Sequence, residues 1–360
     1  MRRFLLKYLC ANLAFFAPAA YFSFVVDPNI SGDIGKLGMI PFGKDYAGLC
    51  IANYDRRQVE NASVEDIYSL DSLQCFSIIT IGDSFSQQHE NGYQWKLSSL
   101  AKSRIANIPQ NRVFNIVETY VALMNEGVFN EGQTVILESV ERAFVQRFAN
   151  INFDTRFQNS NVQEGDNMSM VKSPFLNRFF SWIRLSCGYN LPVKRYHLSK
   201  TCFTHPLFSD EVFIYNSPKI GDGDLLWELN TDDEYSKVAN NLNKLFELAK
   251  ERKISLLILI AADKYDTYSI WISDEHDDNP TFSRIPNNPN VFITKYCLQD
   301  AISNDVMDVY KLNDTHWSVI GADIVADALF LMMNERGLLP NQHEFYEGNK
   351  LSSSQPIDIR

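Results

Sequence analysis

The sequence predicts an α/β protein in which helices cover both faces of a parallel sheet, and its N-terminal segment predicts a separate transmembrane helix. Short apolar runs rich in β-branched residues alternate with stretches of helical periodicity, which is typical of a parallel sheet wrapped by helices. The 360 residues, 45% of them apolar, are sufficient for one large or two modest domains with a sizeable core. A formal charge of −11 argues against a nucleic-acid-binding protein.

The first 26 residues differ from the rest of the chain in charge and hydropathy. Arg2, Arg3 and Lys7 precede 19 uncharged residues, Tyr8–Val26, whereas the remaining chain holds 30 basic against 44 acidic side chains. As a helix, this uncharged run would span about 28 Å, the thickness of a bilayer core. The basic residues before it predict a signal anchor, with the following domain exported to the periplasmic or extracellular side. A signal peptide cleaved near Ala17–Ala19 and a buried core helix remain alternatives.

The first strand of the predicted domain follows a lead-in segment, residues 27–70, that is rich in Gly, Asn and Asp. Cys75–Ile81 is a short apolar run that ends at Gly82-Asp83, a pattern typical of a buried strand that meets a turn. The elements after it continue the alternation: a helix at Gln94–Ile105, a strand at Val113–Val117, a helix at Ala122–Glu126 and a strand at Thr134–Leu137.

Residues 150–215 interrupt this alternation with Asn, Ser, Phe and Arg in no clear period, and they predict an insertion or lid. The α/β pattern then resumes with a capped helix from Thr231 to about Arg252, a buried strand at Ile254–Ile260, a strand at Val291–Thr294 and a helix from Ser318 to Arg336 that stops at Gly337. Residues 71–340 therefore predict one domain with an insertion, followed by a tail at 341–360.

Ser84 occupies the position in this pattern that is most suited to chemistry. A serine directly after a buried strand lies at the carboxyl edge of the sheet, where open α/β folds bind ligands. A serine nucleophile needs a base, normally a histidine that a carboxylate orients. Of the six histidines, His316 has Asp314 two residues ahead and lies directly before a predicted helix. The sequence therefore predicts a Ser84-His316-Asp314 triad, although each motif taken alone is also typical of a helix cap.

Gly82-Asp83-Ser84 together with Asp314-x-His316 resembles the SGNH/GDSL hydrolase superfamily. Trp317 and Gly321 in the following helix resemble its polysaccharide O-acetyltransferase branch, to which the alginate acetylation proteins belong. The resemblance covers roughly residues 74–336 apart from the insertion. It implies a three-layer fold with a parallel sheet, an acyl-serine intermediate at Ser84, His316 as the general base and Asp314 as the group that orients it.

The sequence departs from this family at two blocks that normally complete the oxyanion hole. The second-block glycine is not present after Val113–Val117, and Glu138–Arg142 replaces the third-block Gly-x-Asn. Besides the backbone N–H of Ser84, Asn115 and Arg142 are the candidate donors to the oxyanion. Alternatively, Arg142 is a structural partner of Glu138. The motif order also differs from that of the alginate proteins, in which Asp-x-His precedes Gly-Asp-Ser.

Lys264 and Tyr268 follow the long apolar strand and are candidate substrate contacts at the sheet edge. A surface lysine and a core tyrosine are the alternatives for this pair. Two acidic runs, Asp274–Asp278 and Gly221–Asp224, are typical of solvated loops and predict no metal site, since the second lacks the ligand series of a calcium-binding loop. No cofactor is predicted.

Together these features predict an exported, membrane-anchored serine O-acyltransferase that transfers acetyl groups to hydroxyls of a cell-surface or extracellular polysaccharide. Its partners would be the polysaccharide acceptor, the membrane and a membrane protein that supplies the acyl group, because acetyl-CoA is cytoplasmic. The acidic domain favours a neutral or basic glycan. The alternatives are a carbohydrate esterase with the same triad and a non-catalytic polysaccharide-binding protein on the same fold.

Overall fold

The computed structural model describes residues 59–67, 70–109, 115–156, 230–271, 280–311 and 315–339, together with two short strands at 198–200 and 213–215. Asp314, the predicted span Tyr8–Val26, both acidic runs and the tail lie outside the described residues. Within the ranges given above, no helix is long and apolar enough to cross a bilayer.

The described elements alternate between strands and helices along most of the chain. The strands are β1 (Val64–Asp66), β2 (Ile78–Gly82), β3 (Ile105–Pro109), β4 (Thr134–Val140), β5 (Leu198–Lys200), β6 (Phe213–Tyr215), β7 (Ser255–Ala261) and β8 (Val291–Ile293). The α-helices are α1 (Tyr93–Ala101), α2 (Ile116–Asn125), α3 (Glu141–Ala149), α4 (Asp232–Glu251), α5 (Lys264–Tyr268), α6 (Thr281–Arg284), α7 (Thr294–Ser303) and α8 (Val319–Glu335). Four short 3₁₀ helices lie at Leu70–Cys75, Ser84–Gln87, His89–Asn91 and Ser269–Trp271.

Six strands form one sheet in the order β1-β3-β2-β4-β7-β8, and every pair in it is parallel. The chain runs from β2 to β3 on one side and then crosses to β4 on the other side of β2. The strand order therefore reverses direction between β2 and β4, and such a switch point leaves a crevice at the carboxyl ends of the two strands. Strands β5 and β6 form a separate antiparallel pair.

Two apolar cores cover the two faces of this sheet. Alternate residues of each central strand point to opposite faces, so that in β2 the side chain of Ile79 lies in one core and that of Ile78 in the other. Helices α2, α3 and α4 pack on the first face, and α1, α7 and α8 on the second. The structure thus has three layers, and the prediction of an α/β fold with a parallel sheet is confirmed.

Most predicted elements are present within a few residues, but the prediction of a strand at Val113–Val117 is wrong. Asn115 instead caps helix α2, and its side chain accepts a hydrogen bond from the Val117 N–H at 2.9 Å. The strand lies earlier, at Ile105–Pro109, because α1 ends at Lys102 in the left-handed conformation (φ 50°) instead of running to Ile105. The short β1 adds an edge strand within the predicted lead-in segment.

Candidate active site

The two motifs predicted from the sequence approach each other at the switch point between β2 and β4. Asp83 follows β2 directly, and Ser84 begins the 3₁₀ helix Ser84–Gln87. Phe85 is fully buried, and its ring centroid lies 4.9 Å from that of His316 and 4.5 Å from that of Trp317. Ser84 and His316 themselves are only partly buried. The residue next to the serine therefore packs directly on the histidine motif.

A short antiparallel pairing holds His316 in place before helix α8. The carbonyl oxygen of His316 accepts from the Lys311 N–H at 3.1 Å, and Tyr310 and Trp317 form an isolated β-bridge. Ser318 then caps α8 by accepting from the Gly321 N–H at 3.2 Å. Residues 312–314, which include Asp314, connect the two paired segments outside the described residues. Between Ser84 and His316, both of which are described, the structure shows no side-chain hydrogen bond.

Gly82 allows two polar side chains to lie against the end of β2. A Cβ atom at this position would lie 2.3 Å from Ser86 Oγ and 2.5 Å from Glu138 Oε2. Both distances are shorter than any normal contact, so a larger residue would displace these groups. The glycine of the motif is therefore needed for close approach and not for a special backbone angle.

Asp83 organises the turn that carries Ser84. Its Oδ1 accepts from the Phe85 N–H at 3.3 Å, and its Oδ2 accepts from the Val140 N–H at 2.7 Å and from the Arg147 guanidinium at 2.6 Å. Burial alone would raise the pKa of this carboxyl, but Arg147 and the hydrogen bonds outweigh it, and the pKa is lowered. Asp83 is therefore an ionised, buried group that ties β2 to β4 and α3.

Glu138 is an acidic residue in β4, a strand whose seven residues are all buried, and it is itself fully buried beside Asp83. Its Oε2 accepts from the Asp83 N–H at 2.8 Å and from Ser86 Oγ at 2.9 Å. Burial, and then the negative charge of Asp83, raises its pKa well above the usual range. Ser86 Oγ also lies 3.2 Å from the hydroxyl of Tyr93, which continues the polar network toward α1.

A second network repeats this arrangement at the end of β7. Arg142 binds Asp263 through its backbone N–H, at 3.0 Å, and through its guanidinium, while the Asp263 N–H donates to Glu141 at 2.9 Å. Burial raises the pKa of Asp263 to about 7 despite Arg142, and it raises the pKa of Glu141 well above its usual range, with Asp266 as the next cause. The segment Glu138–Arg142 thus binds the turns after both neighbouring strands.

The other four candidate residues, Lys264, Tyr268, Asn115 and Arg142, all have local partners. Lys264 is fully buried, and its Nζ donates to the Lys311 carbonyl at 2.5 Å. Tyr268 is also fully buried, with its ring 5.7 Å from that of Tyr310. Asn115 caps α2, as described above, and the Arg142 side chain is 15% exposed beside Asp263.

Sequence reasoning missed Ser86 and Arg147 and gave Glu138 only a secondary place. One signal was available: Glu138-Ser139 is a polar pair inside an apolar strand, and a buried acid in such a strand needs partners. Arg147 carried no comparable signal, because a basic residue in the last turn of a helix is common on a solvent-exposed face. Among the described side chains, no group of three or more His, Cys, Asp or Glu is arranged to hold a metal ion.

The chain matched none of the protein-family models, curated proteins or solved structures with which it was compared.

Proposed function

We propose that the protein is an exported, membrane-anchored serine O-acyltransferase of the SGNH/GDSL type that acetylates hydroxyls of a polysaccharide. One observation carries the proposal: the Phe85 ring packs 4.9 Å from the His316 ring, at the switch point where open α/β folds bind ligands. Apart from the edge strand β1, the sheet order is β3-β2-β4-β7-β8. If these five strands are numbered along the chain, the order is 2-1-3-4-5, which occurs in doubly wound folds and supports this placement.

In the proposed reaction, Ser84 Oγ attacks the carbonyl carbon of the acyl donor while His316 takes the hydroxyl proton. The donor's leaving group departs with that proton, and an acyl ester remains on Ser84. A sugar hydroxyl then attacks the ester carbonyl and transfers its proton to His316. The bond between the acyl group and Ser84 Oγ breaks, His316 returns the proton to Ser84 Oγ, and the acetylated sugar leaves. Asp314 orients the imidazole and stabilises its protonated form.

The negative oxygen that forms in each step needs a donor, and the backbone N–H of Ser84 is the one proposed here. Arg142 contributes less to the proposal because its guanidinium is paired with Asp263, and Asn115 contributes less because it caps α2, where its Oδ1 accepts from the Val117 N–H. Substrate binding is expected to bring Ser84 and His316 into hydrogen-bond distance, since catalytic hydrogen bonds often tighten only in the substrate complex.

A serine-directed fluorophosphonate probe tests the nucleophile in the full-length chain. We expect the probe to label the protein, and Ser84→Ala to abolish labelling while the chain stays folded, because the proposed nucleophile is lost. Ser77→Ala is the matched control, since it removes a buried hydroxyl with no hydrogen-bond partner from the opposite end of the same strand segment. Equal labelling of Ser84→Ala and of the unmodified chain would rule out the proposed mechanism.

The same preparation distinguishes transfer from hydrolysis. It is incubated with an activated acetyl ester, with and without cello-oligosaccharide, chito-oligosaccharide and alginate oligomer. Acetylated sugar that disappears in Ser84→Ala supports transfer, with the neutral or basic oligomer expected to be the better acceptor. Acetate release that no sugar alters supports an esterase.

A non-catalytic polysaccharide-binding protein is the second candidate, because Glu138–Arg142 replaces the block that normally completes the oxyanion hole, and Arg142 is paired with Asp263. A folded chain that fails to react with the probe, yet binds one of the oligomers, would favour it.

A further inference from the structure

We propose that Glu138 is a positioning residue for Ser84, because its carboxyl group holds both sides of the turn that presents the serine. This inference rests on the proposed function, in which Ser84 is the nucleophile. Glu138 belongs to the segment Glu138–Arg142, which stands where the SGNH/GDSL enzymes that the sequence resembles have a Gly-x-Asn block.

One carboxyl oxygen of Glu138 is hydrogen-bonded to both residues that flank the dipeptide Ser84-Phe85, namely Asp83 and Ser86. Its Oε2 accepts from the Asp83 N–H at 2.8 Å and from Ser86 Oγ at 2.9 Å. Asp83 precedes Ser84 and Ser86 follows Phe85, so these two bonds fix the start and the first turn of the 3₁₀ helix. Glu138 thus acts on Ser84 through the backbone of this turn.

The strand pairing explains why this side chain reaches the turn. In the parallel ladder Ile81 is paired with Leu137, so Glu138 follows at the level of Gly82. Gly82 has no side chain there, and a Cβ atom on it would lie 2.5 Å from Glu138 Oε2. The Glu138 carboxyl group therefore fills the space that the missing side chain of Gly82 leaves open.

The charges around Glu138 determine its protonation state. The groups that face it are Asp83 in the turn, Ser86 in the 3₁₀ helix, Tyr93 on α1 and Arg147 on α3. Arg147, the basic side chain among these four, forms its ion pair with Asp83, at 2.6 Å, and not with Glu138. Full burial, and then the charge of Asp83, raise the pKa of Glu138 well above its usual range and so favour the neutral acid. Glutamine, which is neutral, of the same length and carries an oxygen acceptor, should replace it.

The test compares Glu138→Gln and Glu138→Ala in the full-length chain with the fluorophosphonate probe. We expect Glu138→Gln to keep the maximal labelling rate within about threefold. Glu138→Ala should lower that rate by about 10- to 100-fold and leave the concentration for half-maximal rate unchanged, because a shifted nucleophile slows the chemical step and not probe binding. If Glu138 served only overall stability, Glu138→Ala would not lower the maximal rate while leaving the concentration for half-maximal rate unchanged. Nor would glutamine at this position restore the rate.

Hydrogen exchange of residues 83–87, with β8 as an internal reference, provides a readout that does not depend on activity. We expect faster exchange of this turn in Glu138→Ala and unchanged exchange in Glu138→Gln. If the unmodified chain is not labelled, the proposed function fails, and the exchange data still decide whether Glu138 holds the turn. Labelling and exchange that are unchanged in Glu138→Ala overturn the inference, as does an equal loss in Glu138→Gln.

Discussion

At the scale of single residues, Gly82 leaves the space in which the side chains of Ser86 and Glu138 form their hydrogen bond. We expect Gly82→Ala to lower the free energy of unfolding by about 3 kcal/mol, because its methyl group would lie 2.3 Å from Ser86 Oγ and would break the hydrogen bonds of Glu138. Urea unfolding measures this change, and labelling of Ser84 should slow with it.

Gly127→Ala is the control for the Gly82 prediction, since Gly127 has a φ of 67° but open space around its Cα. Strain at that angle should cost about 1 kcal/mol and leave labelling unchanged. If both variants lose the same stability, close packing at Gly82 is not what requires the glycine.

The candidate nucleophile and the candidate base could be proposed from the sequence, but the buried network around them could not. Ser84 and His316 are recognisable because each stands at the junction between a regular element and a loop, and such a junction shows in the local sequence. Arg147 pairs with Asp83 across 64 positions of the chain, and nothing local to either residue specifies that distance. The network is visible only once β2, β4 and α3 have been packed together.

At the scale of elements, Lys264 at the start of α5 joins β7 to the segment that carries His316. We expect Lys264→Met to lower the free energy of unfolding by about 2 kcal/mol, because the Lys311 carbonyl would lose a buried, charged donor. The His316 segment should also become less well positioned, so the rate of Ser84 labelling should fall in the same variant.

Methionine keeps most of the apolar stem of Lys264, which separates loss of the ammonium from loss of packing. Lys237→Met is the control, because Lys237 is on the surface of α4 and pairs with Asp233 one helical turn away. It should leave both measurements unchanged. Undiminished stability and labelling in Lys264→Met would show that the ammonium does not support the His316 segment.

The elements that could be predicted correctly are those whose signals are local. Helix α4 begins with a capping box between Thr231 and Glu234, and β7 is a run of apolar residues long enough to be unambiguous. The prediction of a strand at Val113–Val117 is wrong because apolar residues on both sides of an asparagine fit a strand as well as a helix start. Hydrogen bonding of the Asn115 side chain to Val117 decides between the two, and the sequence alone does not reveal it.

At the scale of the whole molecule, the sequence predicts a parallel sheet but not the order of its strands. The alternation of strands and helices is a local property, whereas the crossing from β3 to β4 over β2 depends on which strands pair. That crossing places the switch point of the sheet beside Ser84. It also brings Asp83, Glu138, Glu141 and Asp263 to one edge of the sheet, where all four are almost completely buried.

These buried acids determine how the stability of the molecule depends on pH. Asp263 has a pKa of about 7, raised by burial above its usual 3.8, so the native state keeps a proton that the unfolded chain releases between these values. Glu138 and Glu141 are shifted in the same direction. Stability should therefore fall as the pH rises through this window, by at most about 1.4 kcal/mol per pH unit for each retained proton.

Asp83 contributes in the opposite direction at lower pH. Its pKa is lowered from 3.8, so its contribution is present above that value and is lost as the pH falls further. We expect the free energy of unfolding, measured in urea from pH 3 to 8, to be greatest near pH 4 to 5 and to decrease toward pH 8.

Asp263→Asn assigns part of that slope to one residue, because asparagine cannot lose a proton. The variant should differ little in stability near pH 4 to 5, where Asp263 is itself neutral in the folded protein, and its stability should fall less steeply between pH 4 and 7. Asp327→Asn, at an exposed position on α8 that is 54% accessible, should keep the original slope. Stability that rises from pH 5 to 7, or a slope that Asp263→Asn leaves intact, would mean that Asp263 is already ionised in the folded protein and that its pairing with Arg142 outweighs burial.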